Sequence, residues 1–232
     1  MNEVNCIAID FDSTLAHFVG GHEGLFEIFL KRGISRENIE KAYFEAVKNG
    51  FSIEKLKENV LKMQGTLKNE DSILEEFEKW LSSALELYPD SLPSLLRWKD
   101  LGLNIFIVTF GDPQFQRLKI KKVIGEDILP SSNIVVTEKP DTKFEVLEKL
   151  TEQYGAPIIF IDDKPKELMI VKQKLDKKVI TAFIYRSDSP FRKDLLRENK
   201  CLRLSSLFEV STILKFWDEN FIEEFLNNFF KP

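Results

Sequence analysis

The sequence predicts an α/β protein: a parallel sheet covered by helices, with a helical segment inserted after the first strand. Three observations carry this. Five short apolar runs recur along the chain, at residues 4–9, 103–109 (LNIFIVT), 134–137 (IVVT), 158–163 (IIFIDD) and 179–185 (VITAFIY). They are largely continuous rather than alternating, and rich in β-branched and aromatic residues, as strands buried on both faces are. Helix-like segments separate them, and strands that alternate with helices imply right-handed crossovers and a parallel sheet. Finally, the stretch between the first and second runs is far too long for one crossover helix.

That stretch, from about residue 24 to residue 98, has helical periodicity and little strand character. Ser35 can cap a helix carrying Ile39, Tyr43, Ala46 and Val47, and Ser52 another carrying Ile53, Leu56, Val60 and Leu61. A third carries the apolar stripe Ile73, Leu74, Phe77, Trp80, Leu81, Ala84 and Leu85. Gly33, Gly50 and Gly65 fall where C-terminal stops are needed. Residues 17–88 are therefore expected to form an inserted helical domain closed by Tyr88-Pro89-Asp90, and residues 1–16 and 89–232 the α/β core. Beyond the fifth strand, a short strand or turn leads into a helix whose Phe216, Trp217, Phe221, Phe225 and Phe229 are expected to dock on the core.

Composition narrows the function classes. Hydrophobic residues make up 43% and charged residues 31% of the 232, which suits a globular enzyme and excludes wholesale disorder. A net charge of −5 provides no basic footprint for nucleic acid or an anionic membrane. There is no basic leader and no apolar run of membrane-spanning length. Cys6 and Cys201 lie far apart without metal-ligand spacing. A cytoplasmic setting is the expectation.

Four features could carry chemistry, all at or just beyond the C-terminal ends of expected strands, where ligands bind in open α/β sheets. The first is Asp10-Phe11-Asp12-Ser13-Thr14-Leu15. Carboxylates at i and i+2 on a strand point the same way. At 4 Å their repulsion is roughly 1–4 kcal/mol, so the pair asks for a cation or a shared proton. Taken alone it is equally a polar strand exit in which Asp12 or Ser13 caps a turn. The second is Thr109-Phe110-Gly111-Asp112-Pro113, where Asp112 and Pro113 suit an N-cap and first helical position. A helix N-terminus beside the Thr109 hydroxyl could receive a phosphoryl oxygen. The third is a lysine, either Lys139 in Glu138-Lys139-Pro140-Asp141 or Lys143 in Thr142-Lys143-Phe144. The fourth is Asp162-Asp163, adjacent carboxylates after IIFI that suit a hard divalent cation, with Glu167 one helical turn later.

The order Asp-x-Asp, Thr, Lys, Asp-Asp resembles the four motifs of the haloacid dehalogenase-like superfamily, over nearly the whole chain and including a helical cap after the first motif. The resemblance implies a Rossmann-like core and a magnesium-dependent phosphatase that hydrolyses a small phosphorylated metabolite. By it, Asp10 is the nucleophile and Asp12 the acid/base, while Ser13, Thr109, Phe110, Gly111 and the lysine hold the phosphoryl group. Asp10, the backbone carbonyl of Asp12, Asp162 and Asp163 hold magnesium, with Asp163 in direct contact. The Lys-Pro pairing resembles members with this cap type and points to Lys139, with Lys143 the alternative. His17, Phe18 and His22, just past the first motif, are candidates to line the substrate cleft. A sugar-phosphate mutase shares every motif, and a catalytically silent scaffold on the same fold is the remaining alternative. A dehalogenase would need neither Asp12 nor the acidic pair.

Overall fold

The computed structural model describes residues 4–192 and 201–215. The chain enters through β1 (Cys6–Ile9) and turns into a short β2 (Ala16–Phe18). Four helices follow: α1 (Glu23–Leu30), α2 (Arg36–Lys48), α3 (Ile53–Gln64) and α4 (Ile73–Ala84). A short β3 (Leu85–Leu87) then pairs antiparallel with β2, Ala16 opposite Leu87 and Phe18 opposite Leu85. The rest alternates: α5 (Ser91–Asp100), β4 (Asn104–Phe110), α6 (Pro113–Val123), β5 (Ile134–Thr137), α7 (Lys143–Tyr154), β6 (Ile158–Asp162), α8 (Pro165–Leu175), β7 (Val179–Ile184), β8 (Leu202–Leu204) and α9 (Phe208–Lys215).

The main sheet runs β5-β4-β1-β6-β7-β8, with every neighbouring pair parallel. Successive side chains on a strand point to opposite faces, so continuous apolar runs serve two cores at once. On one face Ile7 and Ile9 join Ile105, Ile107, Ile159 and Ile161, covered by Leu95 and Trp98 of α5. On the other, Cys6 and Ala8 meet Phe106, Val108 and Phe160 under Leu147 of α7 and Leu168 and Val171 of α8. The chain order reverses across β1, which lies between β4 and β6. That switch point opens a crevice at the C-terminal ends of the three strands.

Two of the helices between β2 and β3, α2 and α3, start where their serine caps dictate. The Ser35 side chain accepts from the Asn38 N–H and Ser52 from the Lys55 N–H. Two details differ from the sequence reading, and one expectation falls outside the described residues. The inserted segment is not purely helical, because β2 and β3 form an antiparallel pair at its base; Leu85 therefore sits in a strand rather than on the α4 stripe. Leu74 is exposed on α4, and Val47 on α2 is 38% exposed. The expected docking helix is described only as far as Lys215, and Phe216, Trp217, Phe221, Phe225 and Phe229 lie outside the described residues.

The inserted helices pack directly on the core. Phe51 and Phe77 sit 5.2 Å and 5.7 Å from the ring of Phe115 on α6. Gly50 has φ +75, and a Cβ there would lie 2.8 Å from the Gly111 carbonyl carbon. Only glycine allows both that backbone and that approach. No described helix is long and apolar enough to cross a membrane.

Candidate active site

Asp10 stands immediately after β1 and is 6% exposed. Lys143, the first residue of α7, reaches it across the sheet end: its Nζ donates to Asp10 Oδ1 at 2.6 Å and to Asp162 Oδ2 at 2.7 Å. Asp162 ends β6, the strand paired with β1, so the parallel register delivers both carboxylates to one place. Asp163 follows, its backbone N–H donating to Thr14 Oγ1 and its carboxylate accepting from Ser189 Oγ. Oxygens of Asp10, Asp162 and Asp163 all lie within 4.8 Å of one another.

Among the described residues, Lys143 brings the ammonium bonded to two of these buried carboxylates. Burial pushes the Asp10 carboxyl up and Lys143 opposes it, but Asp162 and Asp12 add to the rise, and the result is about 7. Burial and its neighbours Asp162 and Asp10 likewise push Asp163 well above the usual carboxylate range, and burial raises Asp162. Burial works against the Lys143 charge, yet Asp10 and Asp162 outweigh it and hold the ammonium protonated. The trio is short of positive charge, which is the donor set a hard divalent cation selects.

Of the two candidate lysines, the Lys-Pro pairing pointed to Lys139, and the geometry corrects that reading. Lys139 is exposed in the turn after β5, whereas Lys143 is 4% exposed and bonded to two of the acids. The N-terminus of α7 aims residue 143 inward, and residue 139 lies before that helix begins.

Asp12 lines the same cleft but has a lysine of its own. Lys119 Nζ donates to its Oδ2 at 2.6 Å, and Gln116 Nε2 donates to the same oxygen at 3.0 Å. Burial raises the Asp12 carboxyl, but Lys119, with help from Gln116, overcomes it and holds the group below its ordinary value. Lys119 is only 2% exposed, and its ammonium lies 4.9 Å from the Phe115 ring centre and 5.5 Å from that of Phe11. Neither Gln116 nor Lys119 is singled out by the sequence motifs. Their signal is periodicity: on α6 the buried residues are Phe115, Gln116, Lys119 and Ile120, so two polar groups occupy the apolar face of a helix.

The other expected residues divide. Thr109, 1% exposed, and Phe110 line the cleft at the end of β4, and Ser13 lines it with φ +57, its N–H donating to Ala16 O. The expected free amides beside Thr109 are already taken. Gly111 N–H donates to Thr137 O at 3.0 Å, and the Asp112 side chain accepts from the N–H groups of Gln114 and Phe115. Gly111 is also absent from the cleft lining, so the same Asp112 cap that starts α6 removes its N-terminus as an anion receptor. His17, Phe18 and His22 all line the cleft. His17 Nδ1 is bonded to Asp188 Oδ2 at 2.6 Å and its ring stacks on Tyr88 at 4.4 Å. His22 Nε2 is bonded to Tyr43 Oη at 2.8 Å. Glu167 is buried on the cleft wall, and burial raises its carboxyl.

Distant residues hold the loop after β1 in shape. Arg186, just past β7, donates to Thr14 O through Nε and Nη2 and makes a two-pronged pair with Asp90 at 2.8 Å and 3.0 Å. Asp90 also accepts from Leu207 N and Ser206 Oγ. Planar, bidentate pairing of this kind fixes direction as well as distance. The whole cleft encloses about 720 Å³.

Comparison with known proteins agrees with this architecture. Among curated proteins, the chain is 24% identical over 199 residues to the enolase-phosphatase E1 of Aquifex aeolicus (strain VF5), covering 73% of this chain and 86% of that one. A solved structure from Burkholderia xenovorans LB400, assigned to the haloacid dehalogenase-like hydrolases, shares the fold with a TM-score of 0.65 at 18% identity, over 94% of this chain and 100% of that one. A family hydrolase from Deinococcus radiodurans R1, solved with bound phosphate and sodium, superposes with a TM-score of 0.57 at 13% identity, over 91% of this chain and 95% of that one. Residues 4–173 match the family model described as haloacid dehalogenase-like hydrolase, and the chain is an enzyme belonging to that family.

Proposed function

We propose that this hydrolase is a magnesium-dependent phosphatase of a small phosphomonoester, working through a phosphoryl group carried on Asp10. The observation that carries the reading is the convergence of Asp10, Lys143, Asp162 and Asp163 at adjacent strand ends, with a second carboxylate, Asp12, in the same cleft. The curated relative's name, a phosphatase, points the same way.

Asp10 Oδ attacks phosphorus as the bond to the ester oxygen breaks, and the departing alkoxide takes a proton from Asp12. Water then attacks the aspartyl phosphate, and Asp12 takes the proton back, leaving inorganic phosphate and free Asp10. In the resting site Lys119 keeps Asp12 ionised, the form needed in the second half. A phosphate dianion entering beside it raises its proton affinity, which favours the acid form needed in the first. Lys143, the Thr109 hydroxyl and the Ser13 side chain orient the phosphoryl oxygens. Magnesium, when bound, offsets the negative charge of the phosphoryl group and the acids. The residues present fit it: Asp10, Asp163 and the Asp12 carbonyl would hold it. Asp162 accepts from the charged Lys143 Nζ and from Lys164 N, whereas Asp163 accepts from the neutral hydroxyls of Ser189 and Thr14, which leaves Asp163 the better direct ligand.

Residues 17–88 act in this reading as a cap over the cleft, excluding water from the first step and admitting it for the second. The test is phosphate release from a panel of phosphoesters with and without magnesium. Turnover that requires magnesium supports the reading. Release of halide from 2-haloacids, or isomerisation of a sugar phosphate outrunning phosphate release, would replace it.

A further inference from the structure

The cleft has two walls of different chemistry. Among the described residues, every carboxylate and ammonium lining it comes from the sheet side: from the ends of β1 and β6, from α6, α7 and α8, and from the loop after β7. Among the described residues, the inserted segment contributes no carboxylate, ammonium or guanidinium to the lining. Its larger groups there are Phe18, His22, Leu25, Tyr43, Phe51 and Trp80, with His17 at the rim. Phe18 stacks on Trp80 at 4.9 Å with 17° between the planes. The polar atoms of His22 and Tyr43 meet each other at 2.8 Å, which uses part of what little hydrogen-bonding capacity this wall has.

The phosphoryl end of a substrate belongs with the charged floor, so its leaving group lies against the aromatic roof. Hydroxyl groups placed there would lose water without gaining partners, whereas apolar surface gains from leaving water. We propose that the substrates are phosphomonoesters of uncharged, largely apolar alcohols of the aryl or arylalkyl class. This rests on the phosphatase reading above and names the substrate class of that same site.

The experiment compares benzyl phosphate with glycerol 3-phosphate and glucose 6-phosphate, all esters of primary alcohols, in the presence of magnesium. The expected result is a kcat/KM for benzyl phosphate about 100-fold above either polar ester. Trp80→Ala should raise KM for benzyl phosphate about tenfold and move the polar esters by less than about twofold. Should that variant fold poorly, Val47→Gln, at a half-exposed cleft position, should shift the preference in the same direction by a smaller factor. Equal turnover of the three esters, or a preference for a polar one, overturns the proposal. If none of the three turns over, the phosphatase reading goes to the wider panel of phosphoesters, and calorimetric titration of the intact protein with each ester decides which leaving group the roof prefers. Tighter binding of benzyl phosphate upholds the proposal, and equal or weaker binding overturns it.

Discussion

The floor and the roof of the cleft are built from opposite kinds of sequence. The floor collects Asp10, Lys143, Asp162 and Asp163, buried ions that oppose or neutralise one another at strand ends. The roof collects aromatic side chains from β2 and the inserted segment, which pack against one another and against Phe115. The floor is crowded with buried carboxylates, and the roof is apolar. Lys119 sits where the two meet, one ammonium bonded to Asp12 and ringed by phenylalanines. In the proposed reading the cleft divides its labour between floor and roof: chemistry belongs to the residues at the strand ends, and discrimination to a segment inserted outside the sheet.

The largest expected effect strikes the floor. Asp10→Asn removes the proposed nucleophile while preserving shape, and magnesium-dependent phosphate release should fall by on the order of 10⁴-fold or more. A variant with residual turnover near the wild type would break the assignment of the floor as the chemical half.

Next comes the floor's response to pH and magnesium. Asp10 has a folded-state value near 7 against an ordinary 3.8, and Asp162 and Asp163 are also raised. The native state therefore binds more protons than the unfolded chain between about pH 4 and pH 7, and the slope of stability with pH is negative there. For metal-free protein the site's contribution should be most favourable below pH 4 and decline as pH rises through 7. Magnesium should raise Tm, and by more at pH 8 than at pH 5. Thermal melts at the two pH values, with magnesium or with a chelator, measure both. A magnesium-induced shift that is absent, or larger at pH 5, contradicts the charge accounting.

Lys119→Met tests the junction. The substitution keeps the aromatic packing and removes the cation that holds Asp12 down, so the Asp12 carboxyl should rise. With an alkyl phosphate, kcat should drop about 10²-fold and the limb of the pH profile that reports Asp12 should move to higher pH. A drop without displacement of that limb would mean that Lys119 serves packing alone.

The smallest effect belongs to the roof's scaffold. Ser35→Ala deletes the cap of α2 and should cost about 1 kcal/mol in chemical denaturation while leaving kcat unchanged. An equal loss of kcat would couple the inserted helices to the chemistry more tightly than their apolar lining suggests.

Legibility differed between these same regions. The five main strands were visible because each is buried on both faces and must be continuously apolar, and the caps Ser35, Ser52 and Asp112 were visible because orphan helix amides need specific side chains. The floor's carboxylates stood out because adjacent acids after an apolar run have no packing explanation. Lys119 and Gln116 did not, since a lysine and a glutamine on a helix in a lysine-rich chain look solvated until α6 is placed. Lys139 against Lys143 could not be resolved in one dimension either. They are four residues apart, and only the start of α7 decides which of them turns inward. The pairing of β2 with β3 was hidden because three-residue strands carry too little period to be read.

By itself the sequence determined the α/β alternation, the helical character of most of the insertion and the identity of the acids at the strand ends. The first two are written in local periodicity, and the acids in four features that carry weight only when taken together. The tertiary structure alone decided which lysine joins the acids and that a second lysine restrains Asp12. It also decided that the α6 amides are already capped and that the inserted segment brings an uncharged wall to the cleft. Those outcomes depend on contacts between residues far apart in the chain, from Asp12 with Lys119 to Thr14 with Arg186, and such contacts exist only once the sheet has set its register.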